Sequence, residues 1–173
     1  MFYISTMEFQ EAKNEFIQAW GTFGSEWGIN RTMAQIHALL LVSAEPLSTE
    51  DIMEQLEVSR GNVNMNTRDL IAWGIVYRVT KKGERKEFFE ADKDIYKIAI
   101  KIMNERRKRE LGPVLETLRE LKQVKGSDAE AKEFKKVIGD ISSFGENTDK
   151  MIEKMVKADE NWFTGSLMKF LVK

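Results

Sequence analysis

The stretch from Ser59 to Gly74, SRGNVNMNTRDLIAWG, places amide and guanidinium groups in what reads as a short amphipathic helix. Asparagines stand at positions 62, 64 and 66, although asparagine is a poor helix former because its amide competes with the backbone for hydrogen bonds. An amide offers a donor beside an acceptor, which matches adenine N6 and N7 in the major groove, and an arginine fork matches guanine O6 and N7. These residue types predict a segment that reads base edges in duplex DNA.

Helical periodicity divides this segment into a buried side and a polar side. Val63, Thr67 and Leu70 fall together on a helical wheel, as a helix requires and an alternating strand does not. The opposite side and the leading turn supply the predicted DNA-binding residues of this helix, which are Ser59, Arg60, Gly61, Asn62, Asn64, Met65 and Arg68. Ser59 is the predicted N-cap of this helix. Ser59 and the helix N-terminus suit a phosphate, and Gly61 allows the backbone to approach closely.

A basic β-hairpin is predicted directly after this helix. Two β-rich runs, residues 75–80 and 86–91, surround a Lys-Lys-Gly-Glu turn. Between residues 59 and 91, seven Lys or Arg residues accompany four acidic ones, a net charge of +3 within a chain whose net charge is -1. The hairpin residues predicted to contact DNA are Lys81, Lys82, Arg85 and Lys86. A basic hairpin tip can also serve solubility alone, so both interpretations stay open at this point.

Three helices are predicted before the amide-rich helix. Residues 7–27 carry an aromatic face, residues 31–44 read as a buried helix, and residues 49–57 read as a short helix capped by Ser48. The glycines expected to fray the end of the first helix are Gly21, Gly24 and Gly28. This order of elements is that of a winged helix-turn-helix, in which the capped helix enters the major groove and the hairpin forms the wing. The predicted fold class is therefore mainly α with a small β-hairpin wing.

The C-terminal half is predicted to be helical. Apolar residues recur at helical spacing from Asp94 onwards, and Pro113 should kink or divide the helix that they form. Gly126 should end that helix. Ser127 has the form of a cap for a further helix over residues 129–157.

The two flanks of the chain, residues 7–27 and 129–173, carry more apolar surface than a domain of this size needs for its own core. This surplus, which includes Trp162 and Phe163, predicts a homodimer. The predicted organisation is an N-terminal dimerisation helix in residues 1–28, a winged helix-turn-helix DNA-binding domain in residues 29–92, and C-terminal dimerisation helices in residues 93–173.

The same residues resemble a known family. Residues 39–91 are similar to the MarR-type winged-helix repressors, and particularly to the GbsR family, named for the glycine betaine synthesis repressor. The matching motifs are Glu45-Pro46-Leu47, Ser59–Asn66, Leu70–Val76 and Gly83–Phe89. The chain departs from that pattern at Asn64, where serine is usual, at Lys82, where proline often precedes the wing glycine, and at Lys86, which replaces the second arginine. Because lysine keeps the charge but lacks the planar fork, insertion into the minor groove rests on Arg85.

The resemblance implies a sequence-specific regulator that binds double-stranded DNA as a homodimer and represses transcription from a pseudo-palindromic operator, with a possible small-molecule effector. GbsR relatives respond to choline-like ligands, and a quaternary ammonium group binds over aromatic faces. The candidate ligand-binding residues are Phe16, Trp20, Phe23 and Trp27. An aromatic stripe at helical spacing is also typical of a core or a dimer contact. The alternative function is that of a dimeric winged-helix adaptor that binds a protein partner and not DNA.

Other classes of function find no support in the sequence. No nucleophile elbow, P-loop, GxGxxG before a helix or HExxH motif is present, so we expect no enzyme and predict no cofactor. Cysteine is absent and His37 is the only histidine, which excludes disulfides and thiolate or histidine-based metal clusters. We expect His37 to be a packed core residue. No segment approaches the roughly 18 apolar residues of a membrane span and no signal peptide is recognisable, which predicts a cytoplasmic protein.

Overall fold

The computed structural model describes residues 7–160, with side chains as far as residue 157. The chain forms two compact units, one ending at Asp94 and the other beginning at Ile95. The elements of the first unit are α1 (Phe9–Glu26), α2 (Arg31–Val42), β1 (Leu47–Ser48), α3 (Thr49–Leu56), α4 (Arg60–Ala72), β2 (Val76–Val79) and β3 (Phe88–Ala91). Those of the second unit are α5 (Ile95–Arg106), a π-helical turn (Arg107–Leu111), α6 (Gly112–Leu121) and α7 (Ala129–Glu160).

The core of the first unit is built around α2. Ile36, Leu39 and Leu40 of this helix are at most 1% exposed. Helix α3 adds Ile52 to the buried residues of the unit and α4 adds Leu70, both equally inaccessible to solvent. Full burial of an aliphatic side chain stabilises a fold by about 1.5 to 3 kcal/mol. Burial of this apolar cluster therefore stabilises the packing of α3 and α4 against α2.

Helix α1 packs against α2 through glycines. The helix continues past Gly21 and Gly24 to Glu26, and both glycines are buried. A Cβ atom added to Gly21 would lie 2.6 Å from Cγ of Gln35, and one added to Gly24 would lie 2.6 Å from Cβ of Ala34. The expectation that these two glycines fray the helix end is therefore wrong. Their missing side chains let two helices approach closely.

A three-stranded antiparallel sheet in the order β1-β3-β2 completes the first unit. Strands β2 and β3 form the predicted hairpin, with Val76 opposite Ala91 and Val79 opposite Phe88. On its other edge β3 pairs with β1, where Leu47 lies opposite Phe89. Strand β1 was not predicted because two residues are too few to show an alternating pattern. The mainly helical fold with a small sheet confirms the predicted winged helix-turn-helix architecture.

Lys93 links the end of the sheet to α2. Its ε-ammonium donates hydrogen bonds to three backbone oxygens at 2.7 to 2.9 Å, those of Leu40, Leu41 and Ser43. Such carbonyl groups at a helix C-terminus have no partner within the helix and attract positive charge. Burial lowers the pKa of Lys93. The ammonium group therefore caps α2 and fixes the chain directly after the wing.

Helix α7 packs on α5 and α6 in the second unit. A Cβ atom added to Gly145 of α7 would lie 2.8 Å from Cδ2 of Leu115 in α6, so the glycine permits a close approach. Arg107 donates two hydrogen bonds to the carboxylate of Asp149, with 2.6 Å from Nε to Oδ1 and 3.3 Å from Nη2 to Oδ2. This bidentate pair holds the π-helical turn against α7.

Two helix boundaries in the second unit refine the sequence analysis. Pro113 follows a π-helical turn in which the N–H of Gly112 donates to the carbonyl oxygen of Arg107, so the chain stays helical on both sides of the proline. The start of α7 is capped by Asp128, whose Oδ1 accepts from the N–H of Ala131 at 2.8 Å. The predicted cap at Ser127 is therefore wrong, because a capping side chain stands directly before the first helical residue. The tail that contains Trp162 and Phe163 lies outside the described residues.

Candidate nucleic-acid interface

Helices α3 and α4 form the helix-turn-helix, and polar side chains fix the start of each. Ser48 and Asp51 form a reciprocal capping box, with Ser48 Oγ accepting from the Asp51 N–H at 3.2 Å and the Asp51 carboxylate accepting from the Ser48 N–H at 2.8 Å. Ser59 Oγ accepts from the N–H of Asn62 at 3.3 Å. Between the two helices Glu57 takes a left-handed conformation with φ of 55°. Both predicted N-caps are confirmed.

The inner side of α4 is closed by polar as well as apolar side chains. Val63 and Leu70 belong to the core, and Asn66 and Thr67 beside them are each 2% exposed. Nδ2 of Asn66 donates to the backbone oxygen of Asn62 at 2.7 Å, and Thr67 Oγ1 donates to that of Val63 at 2.8 Å. One of the three asparagines that suggest base reading is therefore structural.

The outer side of α4 carries the residues predicted to bind DNA. All of them are exposed, namely Ser59, Arg60, Gly61, Asn62, Asn64, Met65 and Arg68. Met65 is 52% exposed although it is apolar. Within residues 7–160, the side chains of Asn64 and Arg68 have no hydrogen-bond or ion-pair partner in the protein. Their donors and acceptors are therefore available to a ligand.

Arg60 differs from these neighbours because it has a partner in the protein. Its Nη2 lies 2.7 Å from Oε1 of Glu50, in the first turn of α3, and the two side chains are 57% and 43% exposed. The hydrogen bond from Arg60 holds the pKa of Glu50 below its usual range, and the positive charge of Lys86 in the wing lowers it further. Glu50 thus lies beside a cation of α4 and in the field of a cation of the wing.

The wing turns where the sequence predicts. The N–H of Glu84 donates to the carbonyl oxygen of Lys81 at 3.1 Å, and Gly83 between them has φ of 86°, which L side chains rarely adopt. The ε-ammonium of Lys81 lies 4.6 Å from the ring centroid of Phe88 and 3.9 Å from a carboxylate oxygen of Glu45. Arg78 of β2 is exposed and lies 3.2 Å from a carboxylate oxygen of Glu87. The exposed cations at the tip of the wing are Lys82, Arg85 and Lys86. In the described part of the chain these three form no ion pair, whereas Lys81 helps to hold the hairpin together.

The combined surface of α4 and the wing has the chemistry of a DNA reader. An α-helix with its side chains is about 10 to 12 Å across and fits a major groove about 12 Å wide. Amide and guanidinium groups on α4 can bind base edges, and exposed wing cations can bind phosphates or enter the minor groove.

Residues 7–160 contain no group of three or more His, Cys, Asp or Glu residues that could hold a metal ion. No helix among them is long and apolar enough to cross a membrane.

The aromatic residues of α1 form a ladder along one helix. Ring centroids are 5.5 Å apart for Phe16 and Trp20, 5.9 Å for Trp20 and Phe23, and 5.0 Å for Phe23 and Trp27. Trp20 also lies 6.3 Å from the ring of His37 in α2, whereas Phe23 and Trp27 are half exposed. The four candidate ligand-binding residues therefore lie side by side on one helix face.

His37 lies in the core of the first unit, which confirms the expectation that it is packed. The residue is 2% exposed, and its Nε2 has no hydrogen-bond partner among the residues that the structure describes. Burial lowers the pKa of His37 to about 4, and the positive charge of Lys93 contributes to the decrease. The imidazole is therefore neutral at pH 7.

Comparison with protein families identifies the region that carries the helix-turn-helix. Residues 27–87, from the end of α1 to the start of β3, match the model of the MarR family. MarR-family transcriptional regulators are non-enzymatic DNA-binding proteins. The matched region contains every residue predicted above to bind DNA.

Individual proteins that are similar to this chain are distant from it in sequence. The "Putative HTH-type transcriptional regulator YvaV" of Bacillus subtilis (strain 168) is 22% identical over 95 residues, which are 55% of this chain and 54% of that protein. The chain thus spans about half the length of the curated relative that it matches. A crystal structure described as a transcriptional regulator has a TM-score of 0.51 and 18% identity, with 83% of this chain and 99% of that chain covered, and shows the same fold.

Structures of S. aureus MepR are less similar. A MepR mutant bound to an oligodeoxyribonucleotide has a TM-score of 0.40 and 17% identity, with 78% of this chain and 93% of that chain covered. MepR in a DNA-binding conformation has a TM-score of 0.37 and 14% identity, with 95% of this chain and 93% of that chain covered.

Proposed function

We propose that this chain is a transcriptional regulator that binds double-stranded DNA sequence-specifically through α4 and the wing. The observation that carries this proposal is that every α4 residue predicted to bind DNA is exposed, on a helix whose opposite side is buried. A helix kept only for packing would favour residues such as Ala, Glu or Lys on its outer side. Gly61, Asn62 and Asn64 lower helix propensity there, and contact with DNA explains their presence.

In this function α4 and the wing have different tasks. Asn64 and Arg68, which have unoccupied polar groups on the outer side of α4, read base edges. Ser59 lies at the helix N-terminus, where backbone N–H groups suit a phosphate oxygen. The exposed cations at the tip of the wing, Lys82, Arg85 and Lys86, bind phosphates and add affinity that does not depend on sequence.

The proposed regulator acts as a homodimer, because one copy with a net charge of -1 neutralises few phosphates. The outer side of α7 offers an interface. An exposed apolar row, here named the α7 stripe, consists of Phe134, Val137, Ile141, Phe144 and Met151, which are 41 to 76% exposed. Their intervals of three, four, three and seven residues match the pattern of a helix that packs along another helix.

A second copy of the chain would supply the helix that covers the α7 stripe. Two linked recognition helices would read half-sites about one helical turn apart, roughly 34 Å, and gain affinity through effective concentration. The operator is therefore expected to be pseudo-palindromic. Occupation of an operator that overlaps a promoter represses transcription, which is the regulatory role of this proposal.

The proposed effector is a quaternary ammonium compound that binds at the aromatic ladder of α1. Phe23 and Trp27 are each 47% exposed, and a cation over an exposed aromatic face gains about 0.5 to 1 kcal/mol. Isothermal titration with choline would detect such binding in the full chain, and Phe23→Ala or Trp27→Ala should weaken it. The absence of binding by the wild-type chain at millimolar choline would contradict this part of the proposal.

DNA binding is tested by fluorescence anisotropy of the full chain on random-sequence duplex DNA across a series of salt concentrations. We expect binding at low salt that weakens as salt rises, because phosphate contacts release counterions. Selection from random duplexes should then yield a site that binds at least about 10³-fold more tightly than random DNA. No binding at low salt would contradict the proposal and favour the adaptor that binds a protein partner.

A further inference from the structure

An acidic side chain, Glu50, lies within the surface that is proposed to face DNA. Its Oε1 accepts a hydrogen bond from Nη2 of Arg60 at 2.7 Å, and its carboxylate lies in the field of Lys86. A negative charge at this place opposes the approach of phosphates and so lowers affinity for DNA of any sequence. An acid in the first turn of α3 also interacts favourably with the helix dipole, a role that needs no contact with Arg60.

We propose that Glu50 is a positioning residue for sequence specificity, which holds the guanidinium of Arg60 for a base edge and keeps it from phosphates. This inference rests on the proposed function. The contact with Glu50 uses one Nη2 donor, and a guanidinium has five N–H donors in a planar fork. Within residues 7–160 the remaining donors of Arg60 have no partner in the protein. The held side chain can therefore still present two donors to guanine O6 and N7.

Charge explains why a guanidinium beside Glu50 prefers a base to a phosphate. The edge of guanine is neutral, so it can approach Arg60 without repulsion from the carboxylate. A phosphate on the same guanidinium brings a second negative charge within a few ångströms of Glu50, and like charges at that distance repel. The contact with Glu50 also limits the conformations of the long, exposed Arg60 side chain before DNA binds. Less conformational entropy is therefore lost when Arg60 is ordered against the DNA base.

The variant that tests this inference is Glu50→Gln, which keeps an oxygen acceptor of similar shape and removes the charge. We expect it to bind random duplex DNA about tenfold more tightly. The slope of log K against log salt concentration should become steeper by roughly one, because Arg60 is then free to bind a phosphate. The ratio of selected-site affinity to random-site affinity should fall about tenfold. Glu54→Gln is the matched control, because Glu54 is an exposed acid one turn later in α3 with no ion pair in the described part of the chain. It should change that ratio less than twofold.

A second variant shows whether Glu50 acts through Arg60. Arg60→Ala should abolish preference at one position of the selected site, and Glu50→Gln should relax preference at that same position. In the Arg60→Ala background, Glu50→Gln should leave the affinity ratio unchanged. If Glu50 had only a structural role, Glu50→Gln would instead lower the melting temperature measured by circular dichroism, and it would not relax preference at one base position in particular.

The outcomes distinguish this inference from the function on which it rests. If the wild-type chain binds no duplex DNA at low salt, the proposed function fails and the inference fails with it. If the wild-type chain selects a sequence while Glu50→Gln keeps its affinity ratio and salt dependence, the inference alone fails. It also fails if Glu50→Gln still changes the ratio in the Arg60→Ala background.

Discussion

The side-chain amide of Asn66 donates a hydrogen bond to the backbone oxygen of Asn62, 2.7 Å away and one turn earlier in α4. Asn64 lies between them in sequence, and its exposed amide has no partner in the described part of the chain. Two asparagines only two positions apart therefore have different roles. One fixes the inner side of the helix, and the other presents its amide to the surroundings.

Alanine substitutions at these two positions should separate stability from DNA reading. Asn66→Ala removes a buried hydrogen bond and should lower the free energy of unfolding by about 1 to 3 kcal/mol. Asn64→Ala should change it by less than about 0.5 kcal/mol, but should weaken binding to the selected site by about 1 to 3 kcal/mol. Urea denaturation and fluorescence anisotropy measure the two quantities. Equal losses on selected and random DNA would remove Asn64 from the reading surface.

Substitutions in the wing should act on all DNA sequences alike. Lys82→Ala and Arg85→Ala should each weaken binding to random duplexes. For each phosphate that the wing no longer binds, the slope of log K against log salt concentration should become shallower by roughly one. Lys81→Ala is the control, because its ammonium group is already engaged by Phe88 and Glu45 and should contribute less. Unchanged salt dependence in both test variants would show that the hairpin tip serves solubility alone.

His37 should make the stability of the protein depend on pH between 6.5 and 4. Its pKa is lowered from 6.5 to about 4 in the folded chain, so on acidification the unfolded chain takes up the proton first. The resulting decrease in the free energy of unfolding is absent above pH 7, grows as pH falls through 6.5, and reaches about 2 kcal/mol at pH 5. Urea denaturation at pH 7, 6 and 5 measures it.

The control for this pH dependence is His37→Phe, which keeps a ring of similar size and removes the titration. Its free energy of unfolding should vary less than that of the wild type between pH 7 and 5. Carboxylates with lowered pKa values, such as Asp51 and Asp149, lose their contribution only at more acidic pH. The same pH dependence in variant and wild type would assign the effect to groups other than His37.

Charges placed in the α7 stripe should dissociate the proposed dimer. The double variant Ile141→Lys and Phe144→Lys introduces like charges at two side chains that are 48% and 76% exposed. Its sedimentation mass should fall from two chains to one, and its operator affinity should fall by on the order of 100-fold, the lower end of avidity gains. Ser143→Lys, at an exposed position beside the stripe, should change neither. A wild-type chain that sediments as a monomer while binding a palindrome tightly would overturn the dimer.

The features that the sequence predicts well are those that depend on neighbours a few residues away. The caps at Ser48 and Ser59 each satisfy an N–H group within three residues. Gly74, with φ of 71°, lies two residues after the last residue of α4, where a helix often ends in a left-handed glycine. The two sides of α4 follow from a period of 3.6 residues. Asn66 lies three residues after Val63, so the same period could have shown that its amide points inward.

The features that the sequence does not reveal depend on partners far away in the chain. Arg107 and Asp149 are 42 positions apart, and nothing local in either segment indicates that they pair. The contact between Glu50 and Arg60 exists only once α3 and α4 have packed together. Gly21 resembles a helix-ending residue by composition alone, whereas its contact with α2 makes it part of a helix interface.

The left-handed conformation of Glu57 makes the turn between α3 and α4 a natural starting point for protein engineering. A residue other than glycine costs about 1 to 2 kcal/mol at such a backbone angle, and glycine avoids that cost. Part of the gain is offset because glycine has more conformational freedom in the unfolded chain. Glu57→Gly would therefore add thermal tolerance without altering the outer side of α4. A chain stabilised in this way could accept destabilising substitutions in α4 during directed evolution towards new operator sequences.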